Sequence, residues 1–267
     1  MSKDILKQIV ANKKREVEQH KKLVTTAMME QSVYFANPVV SLKKYLQDSE
    51  RSGIIAEIKR KAPSASDLNI KTPVEDLSIK YMQAGASALS VLTDRSYFGG
   101  SNQDLIKARA FNFCPILRKD FILDEYQVVE TKSIGADCLL LIAACLDPIK
   151  CLNLAKLAKS LGLEVLLEVR DRHELETHLN DYVDLVGVNN RNLNDFSIDL
   201  QNSKILSSLI PDHFIKISES GITSAQDILE LKAYGFKGFL IGSHFMRHQY
   251  PGDALRKIVT ELKSIEV

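Results

Sequence analysis

Ile54-Ile55-Ala56-Glu57-Ile58-Lys59-Arg60-Lys61-Ala62-Pro63-Ser64 begins as an apolar strand and ends as a basic loop. Side chains two apart on a strand share a face, so Ile55, Glu57 and Lys59 point the same way. An acid and a base on the inward face of a buried strand destabilise it unless they pair or meet a charged ligand. The device recurs where other apolar runs turn into loops: Leu117 with Lys119, Leu166 with Glu168, and Asn189 with Arg191. Polar groups at the ends of several strands point to one site assembled from all of them.

Outward from this stretch, short apolar runs alternate with amphipathic ones. Strands are predicted at 54–58, 88–93, 115–118, 138–143, 164–169, 185–189, 214–218 and 238–241. Helices are predicted at 73–84, 102–111, 125–134, 148–161, 172–180, 201–209, 224–234 and 254–265. Pro73 and Pro148 suit a helix's first turn, where a missing N–H costs little. Gly85, Gly135, Gly162 and Gly235 each follow a helical stretch, as C-terminal caps do. Eight strands alternating with eight helices predict an α/β chain closed into a (β/α)8 TIM barrel, and the absence of GxGxxG argues against a dinucleotide fold. The 267 residues suit that fold, which commonly runs to about 250. They read as a single barrel domain over 1–267, with residues 1–50 as an additional N-terminal helical segment (4–20, 26–33 and 42–48).

With 45% hydrophobic residues there is material for one continuous core. The net charge of +1 gives no general attraction to nucleic acid or membrane, so neither is expected as a partner. Lys13, Lys14, Arg15, Lys21 and Lys22 alternate with Glu16 and Glu18 and read as a solvated helix face. No run approaches the roughly 20 apolar residues of a membrane span, and the start lacks the apolar stretch of a secretory signal. Cys114, Cys138, Cys145 and Cys151 lack CxxC spacing and fall in or near apolar segments. Buried free thiols and a cytoplasmic location are expected. A monomer is the expectation, a dimer the alternative.

In a parallel barrel the chemistry gathers at the carboxyl ends of the strands, and the loops after strands seven and eight commonly cradle a phosphate. Here those ends read Ser218-Glu219-Ser220-Gly221-Ile222 and Leu240-Ile241-Gly242-Ser243-His244. Glycines 221 and 242 let the backbone approach an anion, so a phosphorylated small molecule is the expected ligand. Of the six histidines none forms HxH or HExxH, so neither metal nor cofactor is expected. His244, beside the cradle, is read as packing or capping. There is no GxSxG elbow and no credible Cys/His dyad.

Taken together, these segments resemble the indole-3-glycerol phosphate synthase family of tryptophan biosynthesis. The resemblance runs through Ile55–Ser64, Leu89-Ser90-Val91-Leu92-Thr93, Tyr97-Phe98-Gly99-Gly100-Ser101 and Pro115-Ile116-Leu117-Arg118-Lys119-Asp120-Phe121-Ile122. It continues through 163–169, Gly187-Val188-Asn189-Asn190-Arg191-Asn192-Leu193, Glu219-Ser220-Gly221-Ile222 and Leu240-Ile241-Gly242-Ser243. It implies a carbon–carbon lyase that closes the ring of 1-(2-carboxyphenylamino)-1-deoxyribulose 5-phosphate with loss of carbon dioxide and water. By resemblance Lys119 is the general acid and Glu168 the general base, with Glu57, Lys59, Asn189 and Ser220 completing the catalytic set. Arg191 and Ser64 would help bind the substrate, and Gly221, Gly242 and Ser243 its phosphate. Phe98, Phe121, Leu140, Leu193 and Pro63 would line the slot for the aromatic ring. A desolvated lysine among other cations can have a lowered pKa, which would suit Lys119 to donating a proton.

The family usually carries a serine where this chain has Ala62, which removes a hydroxyl that helps hold a substrate anion. Weaker binding is expected, with the reaction kept. The rival enzyme reading, a phosphoribosylanthranilate isomerase, would call for a Cys/Asp acid–base pair, and neither Cys114 nor Cys138 has such a partner at a strand's carboxyl end. A silent barrel kept for assembly is supported only by Ala62 and opposed by Glu57, Lys59, Lys119 and Glu168.

Overall fold

The computed structural model describes residues 5–62, 68, 72–192 and 196–265. Eight parallel strands close into a barrel in chain order: β1 (Ile54–Ile58), β2 (Ala88–Leu92), β3 (Ile116–Lys119), β4 (Cys138–Ile142), β5 (Glu164–Val169), β6 (Leu185–Asn189), β7 (Ile215–Glu219) and β8 (Phe236–Ile241). The predicted TIM barrel is therefore present. β7 runs one residue further than predicted, to Glu219, and β8 starts two residues earlier, with a register shift beside Lys216 and Ile217.

Period-two alternation divides the core in two. Ile55, Ala88, Leu117, Cys138, Leu140, Leu166, Leu185, Ile217 and Leu240 fill the barrel's interior. The alternate residues, among them Ile54, Ala56, Leu89, Val165 and Val188, pack outward against the helices. These are α4 (Val74–Gln83), α5 (Asn102–Phe111), α6 (Glu125–Ser133), α7 (Pro148–Ser160), α8 (Arg172–His178), α9 (Gln201–Ser207), α10 (Ala225–Ala233) and α12 (Pro251–Ile265). Local chemistry sets their ends. Ser101, Asp124, Asp147, Asp171 and Ser224 accept hydrogen bonds from the first-turn amides of α5, α6, α7, α8 and α10. Pro148 opens α7 as expected, whereas Pro73 lies one residue ahead of its helix, at the N-cap of α4. A four-residue helix, α11 (Ser243–Met246), follows β8 and is absent from the predicted elements.

The N-terminal segment reaches both ends of the barrel. Its helices are α1 (Ile5–Leu23), α2 (Thr26–Glu30) and α3 (Leu42–Gln47). At the amino end of the strands, α3 buries Leu42 and Leu46 against the barrel interior. The Lys43 N–H and the Ser41 hydroxyl donate to Glu164, the first residue of β5. At the opposite end, Ile5, Leu6 and Ile9 of α1 face a pocket. Cys114, Cys138 and Cys151 are buried, Cys145 is half-buried, and all four are free. No described helix is long and apolar enough to cross a membrane.

Candidate active site

The inward-facing parity of the strands carries their polar ends to one place. A pocket of about 510 Å³ opens at the carboxyl end of the barrel, within the range usual for small-molecule sites. Glu57, Lys59, Lys119, Glu168, Asn189 and Ser220 all line it. Arg191, Phe98, Phe121, Leu140, Gly221, Gly242 and Ser243 line it too. Pro63, Ser64 and Leu193 lie outside the described residues.

At its floor Lys119 spans two carboxylates, with Nζ 2.7 Å from Glu168 Oε2 and 2.7 Å from Glu219 Oε2. Asn189 Nδ2 donates to the other oxygen of Glu168 at 3.0 Å, and Lys59 Nζ pairs with Glu57 Oε1 at 2.6 Å. Burial would lower the Lys119 pKa, but the charges of Glu168, Glu219 and Glu57 outweigh it and hold the ammonium above the usual lysine range. The lowered pKa expected for Lys119 is thus reversed, because its nearest neighbours are acids rather than cations. Burial would raise Glu168, yet Lys119 and the hydrogen bond from Asn189 hold it below the ordinary carboxylate range. Glu219 differs. Burial, reinforced by the charge of Glu168, raises it to about 7 despite the attraction of Lys119. Its Oε1 is buried and finds no hydrogen-bond partner among the described residues. Space for that oxygen exists because β6 carries Gly187, where a Cβ would come within 2.2 Å of it.

The β7 end is held in an unusual shape. Ser220 has a φ of 69°, rare for a side-chain-bearing residue and characteristic of functional sites. Asn190 holds it there: its Nδ2 donates to Ser218 Oγ, Glu219 O and Ser220 O at 2.9, 3.0 and 3.1 Å. Its Oδ1 accepts from Ser203 N and Oγ. At the end of β8, a Cβ at Gly242 would meet Glu57 Oε1 at 2.2 Å, so only glycine lets the chain pass beside that acid.

Apolar walls complete the pocket. The rings of Phe98 and Phe121 lie 6.0 Å apart, and Leu140, Ile5, Leu6 and Ile9 extend the apolar lining. Cations gather on the other side. Arg191 is half-buried, and burial together with the charge of Arg247 works against its protonated form. His244 also faces the pocket rather than only packing locally. Its ring lies 5.6 Å from Phe245 and 5.2 Å from His248, and burial lowers its pKa, assisted by His248 and Arg247. Two guanidiniums and two imidazoles beside the β7 and β8 loops suit an anionic ligand group.

Residues 6–258 match the profile of the family described as indole-3-glycerol phosphate synthase. The chain belongs to that family. It is 44% identical over 264 residues to the indole-3-glycerol phosphate synthase of Bacteroides thetaiotaomicron, covering 99% of this chain and 100% of that one. It is 40% identical over 261 residues to the enzyme of the same name from Polaromonas naphthalenivorans, covering 97% and 99%. Among solved structures, the fold is shared with 3-hexulose-6-phosphate synthase from Salmonella typhimurium, with a TM-score of 0.63 and 12% identity over 79% of this chain and 98% of that one. The indole-3-glycerol phosphate synthase family thus supplies the reaction for which this pocket must be read.

Three residues of this family member are missing from the sequence-based expectations. Glu219 is signalled by parity, since Ile215 and Ile217 face inward four and two residues earlier. Asn190 gives no signal, because its role depends on a neighbouring strand. Lys13 contradicts the expectation of a solvated face: it is 4% exposed. Its ammonium lies 2.9 Å from Glu16 Oε2, 3.0 Å from Asp94 Oδ2 and 3.0 Å from Asp120 Oδ1. Behind it Arg118, fully buried, donates to Glu130, Thr93, Asp120, Thr131, Asn102 and the Gln127 carbonyl. Burial would raise Asp120 and Glu130, but Lys13 and Arg118 bring Asp120, and Arg118 brings Glu130, down to about 2.

Proposed function

We propose that this pocket performs the family's reaction with Lys119 as general acid and Glu168 as general base. The substrate is 1-(2-carboxyphenylamino)-1-deoxyribulose 5-phosphate, and the product is indole-3-glycerol phosphate. One observation carries the assignment: Lys119 Nζ at 2.7 Å from both Glu168 and Glu219, at the floor of an apolar-walled pocket. The substrate's aromatic ring fits between Phe98, Phe121, Leu140 and α1. Its carboxylate is held by Lys59 and Arg191, and its phosphate by Gly221, Gly242 and Ser243.

In the condensation the aromatic carbon attacks the ketone, whose oxygen becomes an alkoxide in need of a proton. An ammonium held firmly protonated is always loaded, and transfer turns favourable as charge builds on that more basic oxygen. Glu219, poised near 7, shares the Lys119 charge and so tunes how readily the proton leaves. Loss of carbon dioxide from the carboxylate-bearing carbon restores aromaticity and asks of the protein mainly geometry. Dehydration then needs a base and an acid on the same intermediate. Glu168, kept ionised, removes the proton while Lys59, paired with Glu57, protonates the departing hydroxyl, because Lys119 has already given its proton to the ketone oxygen. Exchange with solvent then resets all three groups. Each such group contributes about 10²–10⁴-fold.

With this reading we propose a small phosphorylated molecule as the partner, a monomer with a dimer as the alternative, and the cytoplasm as the compartment, the last supported by four free thiols. The test is direct. Purified protein given that substrate should produce indole fluorescence and an equimolar amount of carbon dioxide. Binding without carbon dioxide release contradicts the proposal.

A further inference from the structure

We propose that Lys13 is a positioning residue for this reaction, latching α1 over the mouth of the pocket and tying it to the loops that follow β2 and β3. The inference rests on the function proposed above. Ile5, Ile9, Lys13 and Val17 are spaced four apart and so lie on one stripe of α1. Ile9, Lys13 and Val17 are buried, and Ile5 and Ile9 line the pocket. A lysine in such a stripe belongs there only if carboxylates await it, and Asp94 and Asp120 do, each 3.0 Å away.

Both acids reach the site through their other contacts. Asp94 Oδ1 accepts from the amides of Tyr97 and Phe98 at 2.7 and 3.2 Å, which folds the loop that presents Phe98 to the pocket. Asp120 follows Lys119 directly, and its Oδ2 accepts from Thr93 at 2.6 Å and Arg118 at 3.2 Å. One ammonium therefore fixes three things: the apolar wall of α1, the Phe98 loop, and the residue beside the proton donor. Without it two buried carboxylates face α1 with no cation from that stripe, and the helix is seated by its apolar contacts and the half-exposed bonds of Asn12, Glu16 and Lys21.

Because Lys119 keeps its own partners inside the barrel, loss of the latch should weaken binding more than chemistry. Lys13→Met retains the side chain's length and removes the charge. It is expected to raise KM about tenfold with kcat within about threefold, and to leave the shape of the kcat pH profile unchanged. Combining it with Ile9→Ala should add little to the KM effect, since both changes act through the seat of α1. A folded Lys13→Met with unchanged KM, or fully additive KM effects, overturns the proposal. Should that variant fail to fold, the wild-type enzyme decides the matter by hydrogen exchange at residues 6–13. Exchange there should slow severalfold when product binds, and unchanged exchange overturns the latch. An inactive wild type would instead reject the function proposed above, so the two failures are distinguishable.

Discussion

Strand β3 separates two buried ionic clusters. On its inner face Lys119 meets Glu168 and Glu219; on its outer side Arg118 and Asp120 join Lys13, Asp94, Thr93 and Glu130. Burial penalises the acids of both. Outside, cations more than offset it, and Asp120 and Glu130 fall to about 2. Inside, one lysine is shared between two carboxylates, and Glu219 rises to about 7 with one oxygen unpartnered among the described residues. The outer cluster locks a charge state, while the inner one leaves a proton near balance. A barrel can thus use the same chemistry to hold and to react, the difference being that Asp120 meets two cations, whereas Glu219 shares its one cation with Glu168.

Substitutions inside the barrel should separate the two clusters, and the largest effect is expected at the base. Glu168→Gln removes the proposed base at almost constant shape and should lower kcat by about 10²–10⁴-fold in a folded protein. Retained turnover would move the base elsewhere. A second prediction concerns pH. Glu219 is raised in the folded state from 4.5 to about 7, so its contribution is fully present below 4.5 and lost as pH rises through 7. The outer acids are depressed, so theirs is present at neutral pH and lost as pH falls from the ordinary carboxylate range through about 2. Glu219→Gln should therefore gain stability over wild type, on the order of 3 kcal/mol, as pH rises across its window. Denaturant titrations at several pH values measure this, and parallel curves would contradict the raised pKa. The smallest effect is expected at the rim. Ala62 lines the pocket, and Ala62→Ser should lower KM by about threefold, the worth of one hydrogen bond. A rise in KM would show that the loop holds substrate in another way.

Much of the inner cluster is legible in the amino-acid sequence, and the outer one is not. Glu57, Lys59, Lys119, Glu168 and Asn189 declare themselves because period-two alternation fixes which face a strand residue takes. Glu219 obeys the same rule but is masked by the adjacent serine and glycine, which read as a phosphate turn. Lys13 lies in a charged helical run, where local pattern favours solvent; its partners Asp94 and Asp120 come from other elements, and no local pattern announces them. The direction of the Lys119 shift is hidden for the same reason, since it depends on Glu219 standing opposite Glu168. The helix α11 is too short to show a period. The fold is legible because repeated alternation over eight units corrects small errors in any one of them.

The most direct test pairs two adjacent residues that face opposite ways. Lys119→Met and Arg118→Met each remove one cation, and kcat and unfolding free energy should be measured for both. Arg118→Met should lose about 3–5 kcal/mol, the cost of stranding buried acids, while its folded fraction still turns over substrate. Lys119→Met should remain folded and lose turnover by at least about 10²-fold. A Lys119→Met protein that turns over substrate at the wild-type rate would contradict the division between the two faces of β3.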